Sequence, residues 1–353
     1  MTHQRAQPIF IVGSSRSGTG MMMRMLRGHP EIHITGETHY FDDLRTKLGD
    51  MSRARLDDHS RRRCEDYFLA LDDRGYGRGG EPNRSSIARE ELRAAAESVG
   101  FGSDAYFEAF CRLQARRAGK AVWGEKTPRH VFRIPEMLHS FPTARVICMV
   151  RDPRAVVASY RDWTRDLSKN LDATSMDTGH VREQIRRNRS YDPVLVSLMW
   201  RSVVGSAERA QRRFGNDRLR IERYEDVLSD PEASVCRLAE WLGLPFVAEM
   251  LDVPQANSSY HQAADRRRGV ATSPAHRWRD KLSEREVLVV QSVCGRLMER
   301  HRYQRKHVEL PSRLVVRSWL VLPIAVSRAL VANSGRTGNL AVYVWRRLRR
   351  AVS

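Results

Sequence analysis

Cysteine is scarce in this chain. There are five in 353 residues (Cys64, Cys111, Cys148, Cys236, Cys294), odd in number and far apart, mostly among apolar neighbours. No C-x-x-C pair and no Cys/His cluster has zinc-ligand spacing, which argues against a disulfide framework or a structural zinc site. The plain reading is buried, reduced thiols in a cytoplasmic protein. No apolar core of a signal peptide precedes residue 30, so none is expected. Clean apolar runs are missing as well. Leu314–Ala332 is interrupted by Arg317, Pro323 and Arg328, a poor match to the ~20 apolar residues of a membrane span. There is no internal repeat. Helix-turn-helix, zinc-finger and aromatic RNA-binding signatures are absent, so nucleic acid is not the expected partner. Acidic residues fall short too: 42 Asp and Glu against 61 Lys and Arg, a net charge of +19. Residues 311–353 hold eight arginines and no Lys, Asp or Glu, leaving +11 for the rest. That balance favours an anionic partner such as a polyphosphorylated nucleotide or an acidic membrane surface, although part of it reads as solvated surface.

What is present centres on residues 8–38, PIFIVGSSRSGTGMMMRMLRGHPEIHITGET. Ile9–Val12 is continuously apolar, as a strand covered on both faces should be. A glycine-rich turn (Gly13–Gly20), a helix (Met21–Arg27) and a second strand near Ile32–Thr35 follow. Gly13 and Gly18 let backbone curl around an anion, and Ser14, Ser15, Ser17 and Thr19 add hydroxyls. The helix start aims its unpaired N–H groups and dipole at the same point, and Arg16 puts full charge inside the turn. This is a phosphate cradle. The Walker pattern would require Lys-Ser/Thr after Gly18, to reach the terminal phosphates and hold magnesium. Thr19-Gly20 stands there instead, which disfavours an ordinary ATP or GTP hydrolase or nucleotide kinase.

Strands alternating with helices continue down the chain and predict an α/β fold, a doubly wound, mostly parallel sheet flanked by helices. Arg145–Val150 reads as a buried strand and Leu219–Tyr224 as another. Helices are expected over Arg61–Leu71, Ile87–Val99, Tyr106–Arg117, Ile134–Ser140, Ala155–Trp163 and Pro193–Phe214. Asp230-Pro231 starts a further helix that Gly243 ends, and Ser283-x-x-Glu286 is a capping box. Gly75–Ser86 reads as a loop, residues 165–192 as a polar excursion, and Arg61-Arg62-Arg63 as an exposed helix face. Arg151 closes the RVICMV strand, at the carboxyl end where parallel sheets bind ligands. Ser159 lies about two helical turns further on. The two can grip one oxyanion; alternatively Arg151 pairs with Asp152 or Glu125 and Ser159 is surface.

The turn around Arg16-Ser17-Gly18-Thr19 resembles the 5′-phosphosulfate loop (P-[KR]-S-G-T-T) of sulfotransferases that use 3′-phosphoadenosine 5′-phosphosulfate (PAPS). Ser15 replaces its proline and Gly20 its second threonine. Arg151 and Ser159 are similar to that family's 3′-phosphate motif. Glu37-Thr38-His39-Tyr40-Phe41 resembles its E-x-H-[FY]-F segment, Glu125-Lys126-Thr127-Pro128 its E-K-[ST]-P segment and Tyr224-Glu225-Asp226 its Y-E-D segment. Arg266-Arg267-Arg268-Gly269 resembles the late basic loop over the 3′-phosphate, and reads equally as a solvated loop. The resemblance implies a P-loop-like domain over residues 1–305, with 42–119 a helical insertion on the acceptor side. It implies PAPS as donor, adenosine 3′,5′-bisphosphate (PAP) as product, no metal, and a hydroxyl-bearing acceptor (small molecule, glycan or lipid) or an amine. Ser15, Arg16, Ser17, Gly18, Thr19, Gly20, Arg151, Ser159, Tyr224, Arg267, Arg268 and Gly269 would hold the nucleotide. Glu37 would be the base with His39 as substitute, while Lys126 and Arg16 would stabilise developing charge. Lys126 also reads as a structural partner of Glu125 or Glu37; Asp42 and Asp43 read as surface acids. His39, two residues along a strand, would face the same side as Glu37. Residues 306–353 form a basic amphipathic tail. Within it Leu340–Val352 reads either as a helix on the anionic cytoplasmic membrane face or as one packed on the domain or disordered.

Overall fold

A computed structural model describes residues 7–73, 87–165, 191–254, 268–270, 275–311 and 313–337. Five parallel strands form one sheet: β1 (Ile9–Gly13), β2 (Ile32–Thr35), β3 (Val122–Lys126), β4 (Arg145–Val150) and β5 (Leu219–Arg223), in the spatial order β2-β3-β1-β4-β5. Ile9 pairs with both Gly124 and Arg145, so β1 lies at the centre. The chain leaves β1 towards one edge and later returns to the other. This opens a crevice beyond the carboxyl end of β1, the usual place for a ligand in such sheets.

The helices are α1 (Thr19–Gly28), α2 (Arg45–Leu48), α3 (Asp58–Asp73), α4 (Arg89–Val99), α5 (Gly102–Arg117), α6 (Ile134–Ser140), α7 (Pro153–Arg165), α8 (Pro193–Phe214), α9 (Tyr224–Ser229), α10 (Pro231–Leu242), α11 (Trp278–Lys281), α12 (Glu284–Arg300) and α13 (Arg313–Thr337). Strand alternation divides the core in two. Ile9, Ile11, Ile147 and Met149 face Met22, Met25 and Leu26 of α1 and Val235 and Leu238 of α10. Phe10, Val12, Val146 and Cys148 face α5, α7 and α8 on the other side. There Phe10 stacks on Phe107 at 6.2 Å between ring centroids, so the helices between β2 and β3 share the sheet's own core.

Caps fix the helices that carry the site. Asp192 accepts from Val194 N–H (2.9 Å) and Leu195 N–H (3.1 Å), with Pro193 at the first turn of α8. Asp230 caps α10 and Gly243 ends it at φ 71°. Ser283 and Glu286 form the expected reciprocal box. Asp152, at the mouth of α7, accepts Arg154 N–H at 2.9 Å and binds its guanidinium. That guanidinium also reaches Gln291 (3.0 Å) and stacks 4.0 Å over Trp278, locking α7 to α11 and α12.

Several expectations need correction. β3 is a strand that the sequence pattern hides, because Gly124, Glu125 and Lys126 break the apolar run. A Cβ at Gly124 would lie 2.4 Å from the Ile9 carbonyl, so only glycine lets β3 close against β1. His39 is not on a strand: β2 ends at Thr35, and His39 has a left-handed backbone at φ 53°. Asp42 is not a surface acid, since its side chain is 7% exposed and takes Arg133 Nε–H at 3.2 Å. α13 continues through Pro323 and docks on α8 and α12. Gly75–Ser86, most of the 165–192 excursion, and Leu340–Val352 lie outside the described residues.

Candidate active site

The turn after β1 is built by backbone geometry. Gly13 (φ 138°), Arg16 (φ 71°) and Gly18 (φ 90°) all adopt positive φ, and Ser17 N–H closes on the Ser14 carbonyl at 3.1 Å. A Cβ at Gly18 would fall 2.4 Å from the Tyr224 ring, so glycine is needed for space as well as for conformation. The first bond of α1 runs from Met22 N–H to the Gly18 carbonyl (3.0 Å); the N–H groups ahead of it open towards the crevice. Thr19 is buried in the first turn of α1, with Gly20 beside it. Ser17 Oγ is buried and meets no partner among the described residues. A cradle of N–H groups with an orphaned hydroxyl fits an anionic oxygen.

The two cationic motifs meet directly. Arg16 Nε–H donates to Ser159 Oγ at 3.0 Å, and Arg151 Nη1–H donates to the Arg16 carbonyl at 3.1 Å. The Arg151 guanidinium lies 4.5 Å over the Tyr224 ring, which itself covers Gly18. Glu225 accepts Asp152 N–H (3.0 Å) and Tyr303 O–H (2.9 Å), tying the end of β5 to the end of β4. The carboxyl ends of β1, β4 and β5 thus interlock at one end of the sheet. The alternative pairings for Arg151 are taken up elsewhere: Asp152 binds Arg154, and Glu125 binds its own buried cluster.

Opposite them, Lys126 at the end of β3 donates to Glu37 Oε1 at 2.6 Å, and His39 Nε2 stands 3.5 Å from Glu37 Oε2. Burial alone would raise the Glu37 pKa, but the His39 and Lys126 contacts outweigh it and bring the carboxyl down to about 2. The same hydrogen bond raises His39 against the effect of its own burial. The segment is placed by its aromatic neighbours: Tyr40 stacks on Phe107 at 4.7 Å and bonds Asp104 at 2.6 Å, and Phe41 is buried beside it.

Sequence reasoning missed two parts of the site. Glu125, fully buried, accepts Thr38 N–H (3.1 Å), Thr38 Oγ–H (2.9 Å) and Thr127 Oγ–H, and stands 3.2 Å from His130 Nδ1. It clamps the residues that directly follow Glu37 and Lys126. Burial would raise its pKa, yet His130 and these donors hold it down. Tyr160, next to Ser159, is hydrogen-bonded to Ser15 and feels the charges of Arg16, Glu37 and Arg129. Burial pushes its pKa up. The signal for it was its place beside Ser159 in the RDPRAVVASY run. Arg268 is not brought to this cluster among the described contacts: it pairs with Asp252, including the Asp252 carbonyl at 2.8 Å. Gly269 N–H bonds Val253 (2.8 Å), and Arg267 lies outside the described residues.

The family model described as the sulfotransferase family matches residues 8–248, from the start of β1 past α10. The chain belongs to the sulfotransferase family. Among its curated relatives, a mouse carbohydrate sulfotransferase 5 is 29% identical over 179 residues, 48% of this chain and 44% of that protein. A Drosophila melanogaster protein-tyrosine sulfotransferase is 24% identical over 291 residues, 80% of this chain and 46% of that one. The omega-hydroxy-beta-dihydromenaquinone-9 sulfotransferase of Mycobacterium tuberculosis is 26% identical over 196 residues, 54% of this chain and 43% of that one. The matches therefore span less than half the length of each relative. The sulfotransferase domain of a Synechococcus PCC 7002 olefin synthase shares the fold, with a TM-score of 0.50 at 19% identity over 88% of this chain and 99% of that one. Arg16, Glu37, Lys126, Arg151, Ser159 and Tyr224 of this sulfotransferase-family chain all fall inside the family match; Arg267–Gly269 falls outside it.

Proposed function

We propose that the protein transfers a sulfuryl group from PAPS to a hydroxyl-bearing acceptor, or an amine, and releases PAP. The observation that carries this reading is the contact of Arg16 with both Ser159 and Arg151, which joins a phosphate cradle to a second cationic grip at one end of the sheet. The donor brings the sulfuryl group and a bisphosphate leaving group. Ser15, Ser17, Thr19, Gly18, Gly20 and the α1 N-terminus would hold its 5′ side, Arg151 and Ser159 its 3′-phosphate, and Tyr224 its base or ribose side. Ser17 Oγ has a hydrogen to give, and Gly18 lets backbone approach closely, so the residues present fit such a group.

Glu37 takes the proton of an attacking hydroxyl, a role typically worth ~10²–10⁴-fold in rate. Held at about pKa 2, it is ionised at neutral pH but weakly basic. Anything that draws Lys126 from Glu37 relaxes one restraint and strengthens the base. His39 keeps the carboxylate oriented and can substitute for it. Arg16 and Lys126 stabilise charge as it develops; removal of one such donor commonly costs about 2.7–4 kcal/mol. These side chains supply the neutralising charge in place of a metal. The relatives' names cover carbohydrate, tyrosine and quinone-lipid acceptors, and this spread supports a hydroxyl class with carbohydrate or lipid foremost. All five cysteines are free and four are buried, which supports a reducing, cytoplasmic setting. The test is turnover of labelled PAPS with pooled alcohols, sugars and lipid alcohols, alongside thermal shifts with PAP and with Mg-ATP. Acceptor-dependent PAP release and a Tm rise with PAP support the reading. Mg-dependent ATP turnover without PAP binding would overturn it.

A further inference from the structure

Helix α13 leaves one side uncovered. Its inner side is narrow: Ala325 is buried, Leu322 packs on the core, and Ser318 accepts from Arg285 at 3.3 Å. Farther along the helix, Arg328 donates to the Tyr191 carbonyl at 3.0 Å. At 3.6 residues per turn the opposite side gathers Val316, Leu320, Ile324 and Val331, which are 57%, 73%, 67% and 65% exposed. Arg313 and Arg317 are exposed beside this stripe. An apolar stripe of this size on a helix that also carries cations is a surface for something.

Charge decides what covers it. Residues 311–353 contain no Asp or Glu. A second copy laid face to face would oppose two pairs of guanidiniums, Arg313 and Arg317 of each copy, with no carboxylate from either helix between them. The chain's own residues 338–353 would bring Arg346, Arg347, Arg349 and Arg350, also of like sign. An anionic bilayer supplies both complements at once, with acyl chains for the apolar stripe and lipid phosphates for the arginines. Arg313–Ala332 is long and apolar enough to cross a membrane by length and composition. However, its inner side is docked on protein, and Arg317 and Arg328 lie inside the stretch, which favours a helix lying on the bilayer.

We propose that α13 is a docking helix for an anionic membrane surface, with Leu320 and Ile324 set among the acyl chains and Arg313 and Arg317 at the level of the lipid phosphates. This is independent of the reaction assigned to the cleft. The test is flotation of the full chain with vesicles of phosphatidylcholine alone and with one third phosphatidylglycerol, over a range of salt. The helix predicts partition into the mixed vesicles that falls with salt and drops about fivefold per arginine in R313Q and R317Q. In Leu320→Ser/Ile324→Ser it should fall by about tenfold or more, with Tm and PAP affinity unchanged. No partition into either vesicle, partition that the double variant leaves intact, or a dimer that the double variant dissolves would each overturn the proposal.

Discussion

Ser17 has a hydroxyl that the fold buries and leaves without a partner among the described residues, at a cost of about 1–3 kcal/mol for such a group. Ser17→Ala should therefore keep or raise the Tm of the free protein while weakening PAP binding, on the order of tenfold. A lower Tm with unchanged PAP affinity would make Ser17 structural. Glu125 is the opposite case: deeply buried and fully engaged, it positions Glu37 and Lys126 through their neighbours. Glu125→Ala, which leaves His130 and two threonine hydroxyls without their acceptor, should destabilise by about 3–5 kcal/mol in urea unfolding. Glu125→Gln, which keeps an acceptor, should restore most of that and lower kcat more than it raises KM. At this scale the polar motifs were legible, because Arg16, Glu37, Lys126, Arg151 and Ser159 each sit in a short run with a chemical reason to be there. The Glu125 clamp was not legible, because its bonds to Thr38 join residues 87 positions apart. His39 and Asp42 were misjudged for a related reason: a turn and a distant arginine decide their surroundings.

Strands announced themselves where both faces are apolar. β1 and β4 read directly from sequence, whereas β3 carries Gly124 for close approach and two charged residues for the site, so its pattern resembles a loop. β2 gives an element-scale prediction. His33, on that edge strand, has its pKa lowered to about 4 by burial and by the neighbouring Arg27 and Lys120. Between pH 6.5 and about 4 the unfolded chain binds a proton that the folded strand refuses, so stability is lost as pH falls through that window. His33→Gln should flatten that part of the Tm-against-pH curve, and an unchanged slope would remove His33 as its source. His39 does not mask this window, and Glu37, lowered from 4.5 to about 2, adds to the loss only below about pH 4.5. His39 is raised, so its contribution is complete below pH 6.5 and is lost only above it.

The described residues pack as α/β layers with an unequal pair of cores. Sequence reasoning reached the parallel sheet and the order of its motifs. It did not show that the helices between β2 and β3 complete the sheet's larger core, because the Phe10–Phe107 stack is a tertiary fact. The acceptor stayed hidden for a physical reason as well: those helices carry packing residues, and no charged motif in them names a ligand. The central claim, two cationic grips on one nucleotide, is a statement about the assembled cleft. It is tested most directly by measuring the affinities of PAP and of adenosine 5′-monophosphate for the native protein and for Arg151→Ala. The account predicts that the native protein prefers PAP by at least about tenfold, one charge-assisted contact or more, and that Arg151→Ala erases the preference while binding the monophosphate nearly as before. Equal losses for both nucleotides would contradict it.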